Sequence, residues 1–196
     1  MPTLTVSKPL LNSYRLHQSK WSACRACSLC DHRNKVVLFR GQLPCDVLFV
    51  GEAPGESENA IGDPFVGPAG DLLDRIIDDA QAETAPFSFG ITNLVACIPA
   101  TITDTSFGAT RDPNKEEIIK CRNRLLEIIS MAKPKLILTL GNIARVHLPR
   151  PLPNKVRENN LLHPAAILHR ESSASANLDY KRMVKNIGVY TSFLQE

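Results

Sequence analysis

The segment from Val47 to Gly70 constrains the fold of this chain more than any other part of the sequence. It begins with a short apolar run, Val47-Leu-Phe-Val, which is typical of a buried strand. A loop rich in glycine, proline and carboxylates follows and carries one aromatic residue, Phe65. The next residues, from Asp71 onward, have the apolar spacing of an amphipathic helix. The segment therefore predicts a strand, a loop that can approach a ligand closely, and a helix.

Strands and helices continue to alternate along the chain. The predicted strands are 46–51, 87–94, 135–140 and 160–162, and the predicted helices are 69–80, 114–131, 141–148 and 178–186. Alternation of this kind implies parallel pairing through right-handed crossovers. The predicted fold is therefore an α/β three-layer sandwich with a central four-stranded parallel sheet. We expect one domain over residues 1–196, with residues 1–23 as an N-terminal extension.

Three polar residues and one glycine lie where the predicted strands end. Glu52 follows the first strand, Asn93 ends the second, Gly141 follows the third and His163 follows the fourth. Ligands bind outside the carboxyl ends of the strands in sheets of this type. We therefore expect these residues to converge on one rim of the sheet.

Composition and charge narrow the class of protein. The chain is 43% apolar, and no run approaches the roughly 20 apolar residues of a membrane span. Its N-terminus lacks the residue order of a signal peptide, so we expect an intracellular, cytoplasmic protein with no membrane association. Residues 133–196 carry ten Lys and Arg against four Asp and Glu. Such an excess is typical of a solvated surface, but also of a face that binds phosphate backbones.

Six cysteines in an intracellular chain favour metal or redox chemistry over disulfides. Cys24-x2-Cys27 has the spacing with which two thiolates hold one metal centre, and Cys97 and Cys121 lie far downstream. Four such thiolates are compatible with either a zinc site or a [4Fe–4S] cluster. We interpret Cys30 and Cys45 as free or buried thiols, because no further cysteine completes a ferredoxin-like run after Cys30.

An ordered series of motifs resembles the iron–sulfur uracil-DNA glycosylases, usually called family 4, over roughly residues 24–170. The series is Cys24-x2-Cys27, Gly51-Glu-Ala-Pro-Gly-x2-Glu58, Gly62-x-Pro-Phe65-Val-Gly-x-Ala-Gly70, Thr92-Asn93-x-Val-x-Cys97, Arg111-Asp-Pro-x3-Glu117-Ile-x2-Cys121, Pro134-Lys-x-Ile-x2-Leu-Gly141 and His163-Pro-Ala. The resemblance implies a monomeric hydrolase that flips uracil out of single- or double-stranded DNA. It would cleave the N-glycosidic bond of deoxyuridine and so initiate base-excision repair.

The resemblance also implies a role for each matched residue. Cys24, Cys27, Cys97 and Cys121 correspond to the ligands of a structural [4Fe–4S] cluster. Phe65 corresponds to the ring that stacks on the flipped base, beside Gly51 in the pocket. Asn93 reads the uracil edge, and His163 hydrogen-bonds uracil O2 as negative charge develops there.

Carboxylates and basic residues complete the implied machinery. Glu52 would position the attacking water, and Glu58 would line the pocket and help to exclude the thymine methyl group. Pro164 and Ala165 begin the loop that would enter the minor groove. The expected phosphate contacts are Arg170 at its end, His169, and the nearby Lys155 and Arg157.

Two segments depart from the family pattern. Residues 98–110 are longer than usual and uncharged except for Asp104, and residues 148–162 are shorter than usual. These departures leave open an alternative, a relative that keeps the fold and cluster but only binds DNA or a protein partner. A phosphate-binding nucleotide module is disfavoured, because the loop after the first strand lacks the phosphate-loop lysine and the dinucleotide glycine spacing.

Overall fold

A computed structural model of the chain describes residues 4–103, 106–152 and 156–195. The strands within these ranges are β1 (Thr5–Val6), β2 (Arg40–Leu43), β3 (Val47–Gly51), β4 (Phe89–Asn93), β5 (Ala100–Thr103), β6 (Ser106–Thr110), β7 (Leu136–Leu140) and β8 (Arg157–Leu161). The α-helices there are α1 (Leu11–Ser22), α2 (Glu56–Ile61), α3 (Pro68–Glu83), α4 (Lys115–Ala132), α5 (Asn142–His147), α6 (Pro164–Leu168) and α7 (Ser173–Thr191).

The central sheet has the order β1-β2-β4-β3-β7-β8. Its four strands β4, β3, β7 and β8 are parallel, which confirms the predicted parallel core. The sheet has two strands more than predicted, because β2 pairs with β4 in antiparallel orientation and β1 extends that edge. Strands β5 and β6 form a separate antiparallel pair in the segment 98–110.

Helices cover both faces of the sheet, as the three-layer prediction requires. Val47 and Phe49 point to one face, where they pack with apolar residues of α3 and α7. Leu48 and Val50 point to the opposite face, where they pack with α4 and with Tyr14 of α1. Successive residues of a strand point to opposite faces, so a strand buried on both faces reads as one continuous apolar run.

Helix α1 lies against the long helix α4. The Glu127 carboxylate of α4 accepts hydrogen bonds from Trp21 at 2.6 Å and from Lys20, and it lies 2.8 Å from Nδ1 of His17. The residues that the sequence marked as an extension therefore include a helix fixed to the main body. No helix in the described ranges is both long enough and apolar enough to cross a membrane.

The pairing register of the parallel strands places their carboxyl ends at the same edge of the sheet. Gly51 at the end of β3 lies opposite Asn93 at the end of β4, and Leu140 of β7 lies opposite Leu161 of β8. Glu52 directly follows Gly51, and His163 lies two residues after Leu161. The predicted convergence of these strand ends is thus present in the fold.

Candidate active site

A cavity of about 340 Å³ opens at the carboxyl ends of the parallel strands. Six of the predicted site residues line it: Glu52, Glu58, Phe65, Asn93, His163 and Ala165. Its volume is within the range of small-molecule sites. The rim predicted from strand ends is therefore concave and accessible.

The side chain of Asn93 is the polar centre of this cavity. Asn93 is 1% exposed, and neither Oδ1 nor Nδ2 has a hydrogen-bond partner among the described residues. A buried amide without partners costs free energy, so such a group indicates a ligand that supplies both a donor and an acceptor. Gly51 makes room for it, since a Cβ at this position would collide with Asn93 Oδ1 and lie 2.5 Å from Phe65 Cζ.

Phe65 forms one wall, 5.8 Å from the His163 ring between centroids. Its backbone has a φ of 56°, in the left-handed region that bulky residues rarely adopt. The buried guanidinium of Arg40 holds this conformation by donating to the carbonyl oxygens of Pro64 at 2.7 Å and Phe65 at 3.1 Å. Arg40 is in turn paired with Asp74 at 2.8 Å. The aromatic wall is therefore fixed through its main chain.

The carboxylate of Glu58 binds main-chain amides of the same loop. One oxygen accepts from the N–H groups of Val66 at 2.7 Å and Gly67 at 2.9 Å, and the other accepts from Gly55 at 3.0 Å. Glu58 also lines the cavity. Its bonds to Val66 and Gly67 shape the loop around Phe65, and its bond to Gly55 caps helix α2.

His163 presents a neutral imidazole to the cavity. Its Nδ1 accepts a hydrogen bond from the main-chain N–H of Ala165 at 3.2 Å. Burial lowers the pKa of the ring, and the carboxylate of Glu58 opposes this effect only in part. Because Nδ1 is an acceptor, the single ring proton lies on Nε2, which is therefore a donor.

Glu52 and Asp112 form a pair of carboxyl groups at the cavity edge. Burial, together with the neighbouring charge and hydrogen bond of Asp112, raises the pKa of Glu52 to about 7. A carboxyl group with a pKa near neutrality is suited to accept a proton during catalysis. Asp112, which lies between β6 and α4, is a site residue that the sequence reasoning missed.

The four predicted cysteine ligands line a second cavity, which the loop after β4 also lines. Cys24 and Cys27 come from the segment after α1, Cys97 from the loop after β4, and Cys121 from α4. Arg33 donates from its guanidinium to Cys97 Sγ at 3.7 Å. Burial raises the pKa of the Cys97 thiol to about 12.

The donor set fits a multi-iron cluster. Four soft thiols surround one cavity, whereas Cys45 is buried in the core beside β2 and Cys30 lies outside the cavity. Among the described residues, no group of three or more Cys, His, Asp or Glu side chains meets the geometry of a bound metal ion. Four thiols are the donor set of a [4Fe–4S] cluster and also of a structural zinc site.

Comparison with known proteins identifies the family. The sequence profile of the uracil DNA glycosylase superfamily matches residues 39–186. The chain belongs to this superfamily. It is 30% identical to a type-4 uracil-DNA glycosylase of Archaeoglobus fulgidus over 186 residues, which cover 85% of this chain and 87% of that relative. This match supports the type-4 branch.

Two further type-4 uracil-DNA glycosylases match shorter parts of the chain. The relative from Saccharolobus solfataricus is 39% identical over 118 residues, which cover 60% of this chain and 50% of the relative. The relative from Sulfurisphaera tokodaii is 36% identical over 137 residues, or 70% of this chain and 56% of the relative. The chain thus spans about half the length of these two relatives.

The residues predicted to face DNA lie in and after helix α6. Pro164 is buried at its first turn, and Ala165 lines the cavity. Arg170 follows the helix and donates to Asp179 of α7 at 2.6 Å. Arg157 stacks its guanidinium 3.9 Å above the ring of Phe193, and Lys155 lies outside the described residues. Two of the guanidinium nitrogens of Arg170, Nε and Nη2, therefore face the Asp179 carboxylate.

Proposed function

We propose that this protein excises uracil from DNA by hydrolysing the N-glycosidic bond of deoxyuridine. The observation that carries the proposal is the buried amide of Asn93, which has no described partner and faces a cavity lined by Phe65 and His163. Membership of the uracil DNA glycosylase superfamily supports the same reaction class. The cavity lies at the end of the sheet where α/β proteins bind their ligands.

The amide of Asn93 accounts for selection of the base. Its Oδ1 accepts from N3–H of uracil and its Nδ2 donates to O4, which gives both unpaired atoms a partner. Cytosine presents an acceptor at N3 and a donor at its amino group, so both contacts would become mismatched. Phe65 supplies the surface on which the flipped ring stacks.

Two further residues act when the glycosidic bond breaks: His163 on the leaving base and Glu52 on the attacking water. As the C1′–N1 bond breaks, its electron pair moves to the uracil ring, where the Nε2–H of His163 donates to O2. A neutral donor placed before the reaction stabilises this developing anion. The Glu52 carboxylate orients a water molecule toward C1′ and accepts its proton as the new C1′–O bond forms.

We also propose that Cys24, Cys27, Cys97 and Cys121 hold a [4Fe–4S] cluster. The shared cavity and the all-thiol donor set support this assignment. When bound, the cluster supplies a covalent cross-link between the segment after α1, the loop after β4 and helix α4. It would thereby fix the loop that begins at Asn93.

Excision is tested with uracil-containing oligonucleotides, single-stranded and double-stranded, treated with alkali after incubation to cleave abasic sites. We expect strand cleavage at the uracil position only, and a strong reduction with Asn93→Ala. Matched oligonucleotides that carry cytosine or thymine at that position are the controls. Binding of DNA without excision by protein replete with iron would contradict the proposal and favour a non-catalytic relative.

A further inference from the structure

Arg124 connects the cysteine cavity to the main chain of the base-reading strand. It lies on α4 one turn after Cys121, lines the cavity of the four thiols, and is fully buried. Its guanidinium donates to the carbonyl oxygens of Asn93 and, at 2.8 Å, of Leu94. It also donates to Thr92 Oγ1 at 2.8 Å. One side chain therefore holds three consecutive residues at the end of β4.

The positive charge of Arg124 lacks a carboxylate partner among the described residues. Its three described hydrogen-bond acceptors are uncharged oxygens, and Nε is buried without any described partner. Glu117 lines the same cavity, but its carboxylate is held by Arg111 at 2.6 and 2.9 Å. A buried charge without compensation is strongly unfavourable.

A cluster held by four thiolates would supply the missing negative charge. Arg33 lines the same cavity and donates to Cys97 Sγ, so two guanidinium groups border the place of the cluster. The chain between Asn93 and Cys97 would then be fixed at one end by Arg124 and at the other by iron. Arg124 itself would also depend on this negatively charged cluster for charge compensation.

We propose that Arg124 is a positioning residue that makes the placement of Asn93 depend on cluster occupancy. This inference rests on the proposed cluster and on the proposed role of Asn93. By linkage, a residue that couples two sites must act in both directions. Arg124 should therefore strengthen cluster binding and, through the cluster, sharpen the preference for uracil.

The test compares wild type, Arg124→Met, Arg124→Lys and the control Arg122→Met, each without iron and after cluster reconstitution. Arg122 is exposed and lies two residues away on the same helix. The first readout is the rise in melting temperature on reconstitution, with iron content measured in parallel. We expect a smaller rise for Arg124→Met than for wild type or Arg122→Met, and an intermediate rise for Arg124→Lys, which keeps the charge but not the forked donors.

The second readout is binding to an oligonucleotide with non-cleavable 2′-fluoro-deoxyuridine, relative to one with cytosine. We expect reconstitution to increase this preference about tenfold in wild type, the scale of one hydrogen bond, but little in Arg124→Met. Equal responses of Arg124→Met and Arg122→Met in both readouts would overturn the inference. Absence of iron uptake by wild type would also overturn it.

The two readouts separate this inference from the proposed function. If reconstituted wild type shows no preference for deoxyuridine, the proposed function fails, while the melting comparison still reports on coupling between Arg124 and the cluster. If the preference is present but independent of iron, only the inference fails. If Arg124→Met does not fold, Arg124→Lys provides the same comparison.

Discussion

The imidazole of His163 has one available donor, because its Nδ1 is occupied by the Ala165 N–H. This donor becomes most valuable when charge develops on the leaving base. We therefore expect His163→Ala to lower the single-turnover excision rate by roughly 10²–10³-fold, the scale for loss of one preorganised donor. Affinity for the non-cleavable 2′-fluoro analogue should change far less. Quenched-flow excision and equilibrium binding measure the two quantities.

His147→Ala is the matched control for that substitution. His147 ends helix α5, is exposed and does not line the cavity, so its removal should leave excision of a base in the cavity almost unchanged. An equal loss of rate and of analogue affinity in His163→Ala would contradict the assignment. It would make His163 a residue that binds ground state and transition state alike.

The carboxyl pair of Glu52 and Asp112 predicts a pH dependence of excision. Burial and then Asp112 raise the pKa of Glu52 to about 7, so below that pH the group is mainly protonated and cannot accept a proton from water. The single-turnover rate should therefore rise with pH through about 7 and then level off. Asp112→Asn removes the neighbouring negative charge, which lowers the pKa of Glu52 and moves the midpoint to lower pH.

The control for the carboxyl pair is Asp78→Asn, which removes an exposed carboxylate on α3. It should leave the midpoint of the pH–rate profile in place. Titration of the His163 ring does not explain a rise in rate through pH 7, because burial lowers its pKa below the ordinary histidine value. A profile whose midpoint is the same in wild type and Asp112→Asn would contradict the role assigned to the pair.

The sequence predicts the residues at the ends of strands, but not the residues that act through tertiary contacts. Asn93 and His163 were predictable because parallel strands end at one edge of a sheet. Asp112 contacts Glu52, which is sixty positions away in the sequence, and Arg40 contacts Phe65, which is twenty-five positions away. No periodic pattern links such pairs, so they require the folded structure.

At the scale of elements, the fully buried strands were the most predictable. Val47–Gly51 and Leu136–Leu140 are continuous apolar runs, as expected for strands covered on both faces. Strand β2 was missed because it contains Arg40, whose buried charge is compensated by Asp74, a residue distant in sequence. Helix α7 begins before the predicted residue 178 because Ser172 caps it by accepting from the N–H of Ser175.

The elements that line the cysteine cavity lead to a prediction about the iron content of the protein. Protein purified without oxygen should be brown, with broad absorbance near roughly 400 nm and about four irons per chain, as expected for a cluster held by four thiolates. Cys97→Ala should lose iron and give a lower soluble yield, because the loop after β4, the segment after α1 and α4 would no longer be joined. Iron analysis, visible absorbance and soluble yield are the measurements.

Cys30→Ala and Cys45→Ala are the matched controls. Cys45 is buried in the core and Cys30 lies next to Asp31, 3.3 Å from its carboxylate, outside the cysteine cavity. Both variants should keep the iron content and colour of wild type. Stoichiometric zinc without iron in wild type would refute the cluster assignment.

At the scale of the whole molecule, the excess of Lys and Arg in residues 133–196 predicts that the protein binds DNA through phosphate contacts. Phosphate contacts release counterions, so affinity for uracil-free duplex should fall steeply as salt rises. Arg170→Ala should weaken binding to all sequences about equally and flatten the salt slope by about one. Binding titrations at several salt concentrations measure both effects.

The ion pair between Arg170 and Asp179 allows a second substitution to test the same contact. Asp179 accepts from Arg170 at 2.6 Å, so its negative charge lies close to any phosphate that Arg170 binds and repels it. Asp179→Asn should therefore strengthen binding to uracil-free duplex, opposite in sign to Arg170→Ala. Arg15→Ala on α1 removes an equal charge outside residues 133–196 and should change affinity less than Arg170→Ala. If Arg170→Ala and Arg15→Ala weaken binding equally, the contribution is one of net charge, and the assignment of Arg170 to the DNA-binding face is wrong.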